Sequence, residues 1–214
     1  MDRVDLGETP YVAAAAAMAE WVRERQEGMV GDRLFLLSHP PVVTYSARTP
    51  AADLPGADSG IALVEVDRGG HATYHGPGQL IGYLVMNVRD GGPGDVVRWM
   101  ELGLVRALGA LGFPAVRRDT PPGGASLVGV WTPDDRKIAS IGMRIRKGVT
   151  SHGFALNVSM DLSPFTTFTA CSLPGVTMTS IAELAGEAGR AVPSEAEVRD
   201  AVWAALSGPA AIDS

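Results

Sequence analysis

Apolar and polar positions along this chain fall into helix-like stretches toward its two ends and short strand-like runs between them. Thr9-Pro10 opens the first helix, with Thr9 as N-cap and Pro10 in the first turn, where its missing N–H costs nothing. The alanine-rich stretch Tyr11 to Glu27 continues it, and Gly28 ends it. Leu34 to Leu37 and Val42 to Tyr45, separated by His39-Pro40-Pro41, read as strands, as do Ile61 to Val66 and Leu80 to Val88. Residues 47–60 are rich in Ala, Asp, Pro and Gly and read as a mobile loop. Asp95 caps a second predicted helix that runs to Leu111, with Gly112 after it.

Val128 to Trp131, Ile138 to Ile145 and Phe154 to Val158 are the next strands, with Lys147-Gly148 as the turn between the last two. Ile141, Met143 and Ile145 alternate with Gly142, Arg144 and Arg146, which predicts one buried and one solvated face. Ser180 with Glu183 and Ser194 with Glu197 match the capping box, in which Ser and Glu satisfy orphan amides reciprocally; the last helix is expected from Glu195 to Leu206. Strands clustered in the middle with helices around them point to an α+β fold with a mixed sheet. No repeat and no interdomain linker stands out, so residues 1–214 read as a single domain.

Composition narrows the classes. The chain is 46% hydrophobic and 20% charged, in the range of globular proteins. No apolar run reaches the ~18 residues of a membrane span, and the N-terminus has no apolar leader, so no membrane role and a cytoplasmic location are expected. A net charge of −6 argues against nucleic acid as a partner. The single cysteine, Cys171, excludes an internal disulfide and a thiolate metal site.

Three segments carry candidate chemistry. Between Arg68 and Gln79, glycines at 69, 70, 76 and 78 allow close backbone approach to a ligand, while Arg68, Thr73, Tyr74, His75 and Gln79 supply polar atoms. No helix pattern follows, so this is not a dinucleotide fingerprint, and Gly-Lys-Ser/Thr is absent, so it is not a phosphate loop. His71 and His75 sit among glycines off any helix, which makes a zinc pair improbable, and no metal is expected. Lys137 opens a strand of small and apolar residues; alone it reads as an edge lysine, but desolvated it would serve as a base or pair with a thiolate. Cys171 lies in a loop punctuated by Pro174 and Gly175, a setting that suits an accessible thiol better than a core cysteine.

Taken together, Arg68-Gly69-Gly70-x-x-Thr73-Tyr74-His75-Gly76-Pro77-Gly78-Gln79, Lys137 to Gly142, His152 to Val158 and Asp161 to Phe165 resemble the signature segments of the lipoyl(octanoyl) transferase family, in order and spacing. The likeness runs from about residue 30 to about residue 185. It implies an α/β-type core shared with lipoate and biotin protein ligases, here a mixed, mostly antiparallel sheet flanked by helices with a small second sheet. By motif position, Cys171 would carry the acyl group and Lys137 would activate it. Arg68, Gly69, Gly70, His71, Ala72, Thr73, Tyr74 and His75, with Ser140, Ile141, Gly142, Gly153, Phe154 and Ala155, would line the acyl site.

The resemblance further implies transfer of octanoyl from octanoyl-acyl carrier protein to a lysine of lipoyl domains. Its acceptors would be 2-oxoacid dehydrogenase E2 subunits and the glycine cleavage H protein, and no cofactor is needed. The pattern departs from the family at the nucleophile, where Ala170-Cys171-Ser172 replaces Pro-Cys-Gly; a looser or differently turned loop is expected. Tyr74, Leu80, Ile141, Phe154 and Leu156 are candidates to hold the acyl tail. Arg136, Lys137, Arg144, Arg146 and Lys147, with Arg117 and Arg118, are candidates for a docking patch. An ATP-dependent lipoate ligase, an octanoyl amidotransferase between lipoyl domains, and a non-catalytic acyl-carrier-binding protein are the competing readings.

Overall fold

A computed structural model describes residues 1–88 and 91–208. Residues 209–214 of the expected 1–214 unit lie outside the described residues. The elements run β1 (Asp2–Glu8), α1 (Tyr11–Gln26), β2 (Arg33–Ser38), β3 (Val42–Tyr45), β4 (Ala62–Glu65), β5 (Thr73–His75), β6 (Gln79–Val85) and α2 (Pro93–Ala110). Then follow β7 (Val116–Arg117), β8 (Val130–Trp131), β9 (Lys137–Arg146), β10 (Val149–Asn157), α3 (Ile181–Glu187) and α4 (Glu195–Ser207).

Seven strands form one sheet in the order β1-β2-β6-β10-β9-β8-β7, and β4-β3-β5 form a second. In the large sheet only β1 and β2 run parallel; in the small one β3 is parallel to β4 and antiparallel to β5. This is the mixed, mostly antiparallel arrangement expected, with the small second sheet.

Helices cover both faces of the large sheet, which is why its central strands read as continuous apolar runs. In β2, Leu34 and Leu36 pack with Leu104 and Leu108 of α2 and with Val198 and Val202 of α4, whereas Phe35 and Leu37 pack with Ala14 and Met18 of α1. In β6, Leu80 and Leu84 go to the first side, Ile81, Tyr83 and Val85 to the second. A third apolar cluster, with Val43, Tyr74, Phe165, Ala170 and Met178, joins the small sheet to the segment around Cys171.

Several local expectations are corrected. Asp2–Glu8 is an unexpected edge strand: its backbone pairs with β2, and its two apolar residues, Val4 and Leu6, pack on the α1 side of the sheet. Pro10, not Thr9, occupies the N-cap position of α1, and the Thr9 hydroxyl donates to the Gly7 carbonyl instead. Helix α2 starts at Pro93 after Gly92; Asp95 accepts the Gly92 N–H at 2.7 Å, so it closes the helix start from inside the first turn. Residues 47–60 contain two 3-10 turns, Ala51–Asp53 and Ala57–Ser59, in place of a featureless loop. The Lys147-Gly148 turn joins β9 to β10 as expected, both residues taking positive φ (48° and 77°), and the Ser194–Glu197 capping box forms. At Ser180 the hydroxyl caps the Glu183 N–H, but the Glu183 carboxylate accepts from the Thr179 hydroxyl, so the reciprocal half is missing.

Candidate active site

The site forms where β9 lacks a long strand neighbour. Beyond β8, the Arg68–Gly70 loop takes that place, with the Gly69 N–H donating to the Met143 carbonyl at 3.0 Å. A Cβ on Gly142 would lie 2.7 Å from the Gly69 carbonyl oxygen, so only glycine allows this approach. Ser140 pairs in register with Ala155, and Gly142 with Gly153, so small residues face one another across β9 and β10. The result is a cavity of about 320 Å³ beside the strand edge, at the lower end of ligand-pocket sizes.

The loop after Cys171 is laid along the start of β9. The Lys137 N–H donates to the Thr177 carbonyl at 2.8 Å, and the Thr179 N–H donates back to the Lys137 carbonyl at 2.9 Å. These two bonds bring residues 34 apart in sequence onto one wall, and both Cys171 and Lys137 line the cavity. The Cys171 N–H donates to the Ala72 carbonyl at 2.8 Å, and its Sγ stands 3.7 Å from Ser140 Oγ. The thiol is half-buried.

Lys137 is 1% exposed, among the largest fully buried side chains. Its Nζ donates to the Val128 carbonyl at 2.8 Å and sits 5.0 Å from the centre of the Trp131 ring. Neither partner is a carboxylate: the carbonyl accepts from Nζ and the ring face lies beside it.

Arg68 reaches into the same cavity. Its guanidinium donates to the Gly69 carbonyl (2.8 Å), to the Thr44 carbonyl (3.1 Å) and hydroxyl (2.8 Å), and to the His71 carbonyl (3.0 Å). Burial pulls its pKa down and the neighbouring Tyr11, Cys171 and Tyr83 pull it up. Among the described residues it has no carboxylate partner, so it presents positive charge to the cavity, where an anion would be stabilised.

His75, His152 and His39 are all held toward the neutral imidazole. Burial, reinforced by His39 and Arg68, pushes His75 down to about 3; burial with Arg68 and Arg144 pushes His152 down to about 4. His75 Nδ1 lies 2.8 Å from Gln79 Oε1, which requires the proton on Nδ1. His39 is also lowered, mainly by burial; it donates from Nδ1 to the Thr9 carbonyl and accepts from the Tyr83 hydroxyl, both at 2.6 Å. Bases this weak are poor acceptors for a thiol proton near neutral pH. Among the described residues no group of three or more His, Cys, Asp and Glu gathers to hold a metal ion.

A model of the lipoyl protein ligase A/B catalytic domain matches residues 10–207. The chain belongs to that family. It is 52% identical over 189 residues to an octanoyltransferase of Frankia casuarinae, covering 86% of this chain and 85% of the relative. It is 41% identical over 186 residues to an octanoyltransferase of Pseudomonas fluorescens, covering 85% and 81%. Among solved structures, a lipoate-protein ligase A bound with ATP superposes with a TM-score of 0.73 at 21% identity, over 96% of this chain and 83% of that one. A biotin protein ligase from Leishmania major superposes with a TM-score of 0.57 at 13% identity, over 98% and 75%. At such identities these two show the shared fold alone.

In this lipoyl protein ligase A/B chain, most residues singled out from the sequence converge on the cavity: Arg68 to His71, Thr73, His75, Lys137, Ser140 to Gly142, Gly153 to Ala155 and Cys171. Two do not. Ala72 contributes its carbonyl to Cys171 from a fully buried position, and the Tyr74 ring packs edge-on against Phe165 at 5.7 Å in the third cluster. Of the expected tail-binding side chains, Leu80 and Leu156 face α2 and the core. The wall there is completed instead by Tyr11, Ile81, Tyr83 and His152. Ile81 and Tyr83 were accessible to reasoning, because they share a face of β6 by period two; Tyr11, on a helix remote in sequence, gave no local signal.

The basic docking patch is corrected. Lys137 is turned inward, Arg136 pairs with Glu187 and Asp134, Arg144 with Asp67, Arg117 with Glu101 and Asp119, and Arg118 with Asp135. Among the described residues Arg146 and Lys147 are the exposed members of that group with no ion-pair partner.

Proposed function

We propose that this protein is an octanoyltransferase that works by an acyl-thioester on Cys171, with octanoyl-acyl carrier protein as donor and the lysine of lipoyl domains as acceptor. The observation that carries this reading is a half-buried thiol and a buried, carboxylate-free lysine on one wall of an apolar-lined cavity. The octanoyltransferase relatives, similar over most of their length, support the acyl group and the reaction.

In the first half-reaction the Cys171 proton passes to Lys137, and the thiolate attacks the carrier thioester carbonyl. The carbon–sulfur bond to the carrier breaks, and the carrier leaves as a thiol with that proton. In the second, the acceptor amine attacks the enzyme thioester, the bond to Cys171 Sγ breaks, and the amine proton returns to the thiolate by way of Lys137. Arg68 stabilises negative charge on the thiolate and on the tetrahedral oxygen. Thioester-to-amide transfer is downhill, so ATP is not required.

The octanoyl tail buries about seven methyl and methylene groups, worth at most about 5–6 kcal/mol at roughly 0.8 kcal/mol each. That holds the acyl group in place while one protein partner replaces the other. E2 subunits of 2-oxoacid dehydrogenases and the glycine cleavage H protein are the proposed acceptors, in the cytoplasm.

The test is intact mass after mixing the protein with octanoyl-loaded carrier. A single octanoyl adduct that hydroxylamine removes, absent in Cys171→Ser, slow in Lys137→Ala and discharged by a lipoyl domain, supports the mechanism. No adduct, with loading of a lipoyl domain from free octanoate and ATP, replaces it with a ligase; an adduct formed only from an octanoylated lipoyl domain replaces it with an amidotransferase.

A further inference from the structure

We infer that Asp53, far from Cys171 in sequence, is a positioning residue for the nucleophile and acts through Ser172; this rests on the reading of Cys171 as the acyl carrier. Cys171 and Ser172 both occupy the left-handed region, with φ of 57° and 50°. Two consecutive side-chain-bearing residues there are unfavourable, because each Cβ crowds its own backbone. Something outside the turn has to hold them, and the structure shows what does.

The Ser172 hydroxyl donates to Asp53 Oδ2 at 2.5 Å, a charge-assisted bond, and the Thr169 N–H donates to the Asp53 carbonyl at 3.2 Å. Asp53 thus grips the cysteine turn on both sides, one residue after Cys171 and two before it. Its own place is secured: it ends the 3-10 turn Ala51–Asp53, and the next residue, Leu54, packs against the apolar cluster that contains Ala170. Further ties are the Cys171 N–H to the Ala72 carbonyl, the contact of its Sγ with Ser140 Oγ, and the turn's own bonds from the Ser172 N–H to the Thr169 carbonyl and from the Leu173 N–H to the Ala170 carbonyl. Where glycine would adopt the φ of residue 172 freely, this chain has serine and a carboxylate that fixes its hydroxyl. The 47–60 segment is therefore part of the nucleophile's support.

A double-mutant cycle tests the assignment, with two readouts: the single-turnover rate of octanoyl adduct formation, and the rate of Cys171 alkylation by iodoacetamide without any acyl donor. Asp53→Ala is expected to slow acylation at saturating donor by about tenfold, the size of a lost charge-assisted hydrogen bond, without shifting the donor concentration for half-saturation. Asp53→Asn, which keeps an acceptor for the Ser172 hydroxyl, recovers most of the rate. In a Ser172→Gly background Asp53→Ala produces no further loss.

An equal loss from Asp53→Ala in both backgrounds, or none in the parent protein, overturns the assignment. The alkylation rate reads turn geometry independently of acyl chemistry. If Cys171 proves not to carry the acyl group, the coupling between Asp53 and Ser172 still shows in alkylation, so the two ideas fail separately.

Discussion

Gly129 and Lys137 share one small volume: a Cβ on Gly129 would lie 2.9 Å from Cε of Lys137 and 3.2 Å from its Nζ. Gly129 has φ of +135°, and its N–H donates to the buried carboxylate of Glu101 at 2.9 Å. The residue before it supplies the carbonyl that holds Nζ. The buried lysine thus depends on a glycine with no chemistry of its own. Gly129→Ala is expected to lower stability by about 1–3 kcal/mol and to slow octanoyl adduct formation more than tenfold. Urea unfolding and single-turnover mass measurement check the pair; a stable variant that acylates at the parent rate would falsify the dependence.

Lys137 itself should trade stability for function. It is buried with a carbonyl and a ring for company, so its polar Nζ is held at a desolvation cost. Lys137→Met, similar in length and apolar, is expected to leave stability unchanged or raise it by about 1–3 kcal/mol, while acylation falls by about 10²–10⁴. Thermal unfolding and adduct formation measured on the same sample test this. Destabilisation by several kcal/mol would mean that Nζ is a structural tie.

Acid should weaken the fold through its histidines before the carboxylates titrate. The folded-state values of His75 and His152 are pushed to about 3 and about 4, below the ordinary 6.5. The unfolded chain therefore takes up protons that the folded one refuses. Their contribution is complete above pH 6.5 and is lost as pH falls toward 4, approaching roughly 1.4 kcal/mol per pH unit for each. Urea midpoints should drop between pH 7 and pH 5, and imidazole NMR resonances of both residues should stay at neutral positions over that range. A His75 resonance titrating near 6.5 would contradict this.

Arg146 and Lys147, at the β9–β10 turn, are the cations left for an acidic partner once their neighbours are paired. Reversing both charges should raise KM for the carrier several-fold and flatten its salt dependence with kcat unchanged. Reversing Arg136, already engaged by Glu187 and Asp134, should change it less. Equal KM effects from the two reversals would spread the docking surface around the molecule.

The sequence by itself determined what depends on neighbours a few residues away. The Ser194 capping box, the Lys147-Gly148 turn and the alternating face of β9 are local, and each formed as read. The punctuated loop around Cys171 marked an accessible thiol for the same reason, whereas Lys137 alone read as an edge lysine and is instead buried. Tertiary structure decided which of these groups meet and which way they face. β1, with Val4 and Leu6 as its apolar residues, is a strand because the β2 edge offers it hydrogen bonds and the α1 side of the sheet offers those two a place to pack. Tyr74, Leu80 and Leu156 turn from the cavity while Tyr11, Tyr83 and His152 turn toward it, because sheet register and packing assign faces that composition does not record. The support of the nucleophile by Asp53, and of the lysine by Gly129, joins segments whose separation in sequence leaves no pattern. Only folding brings them within reach.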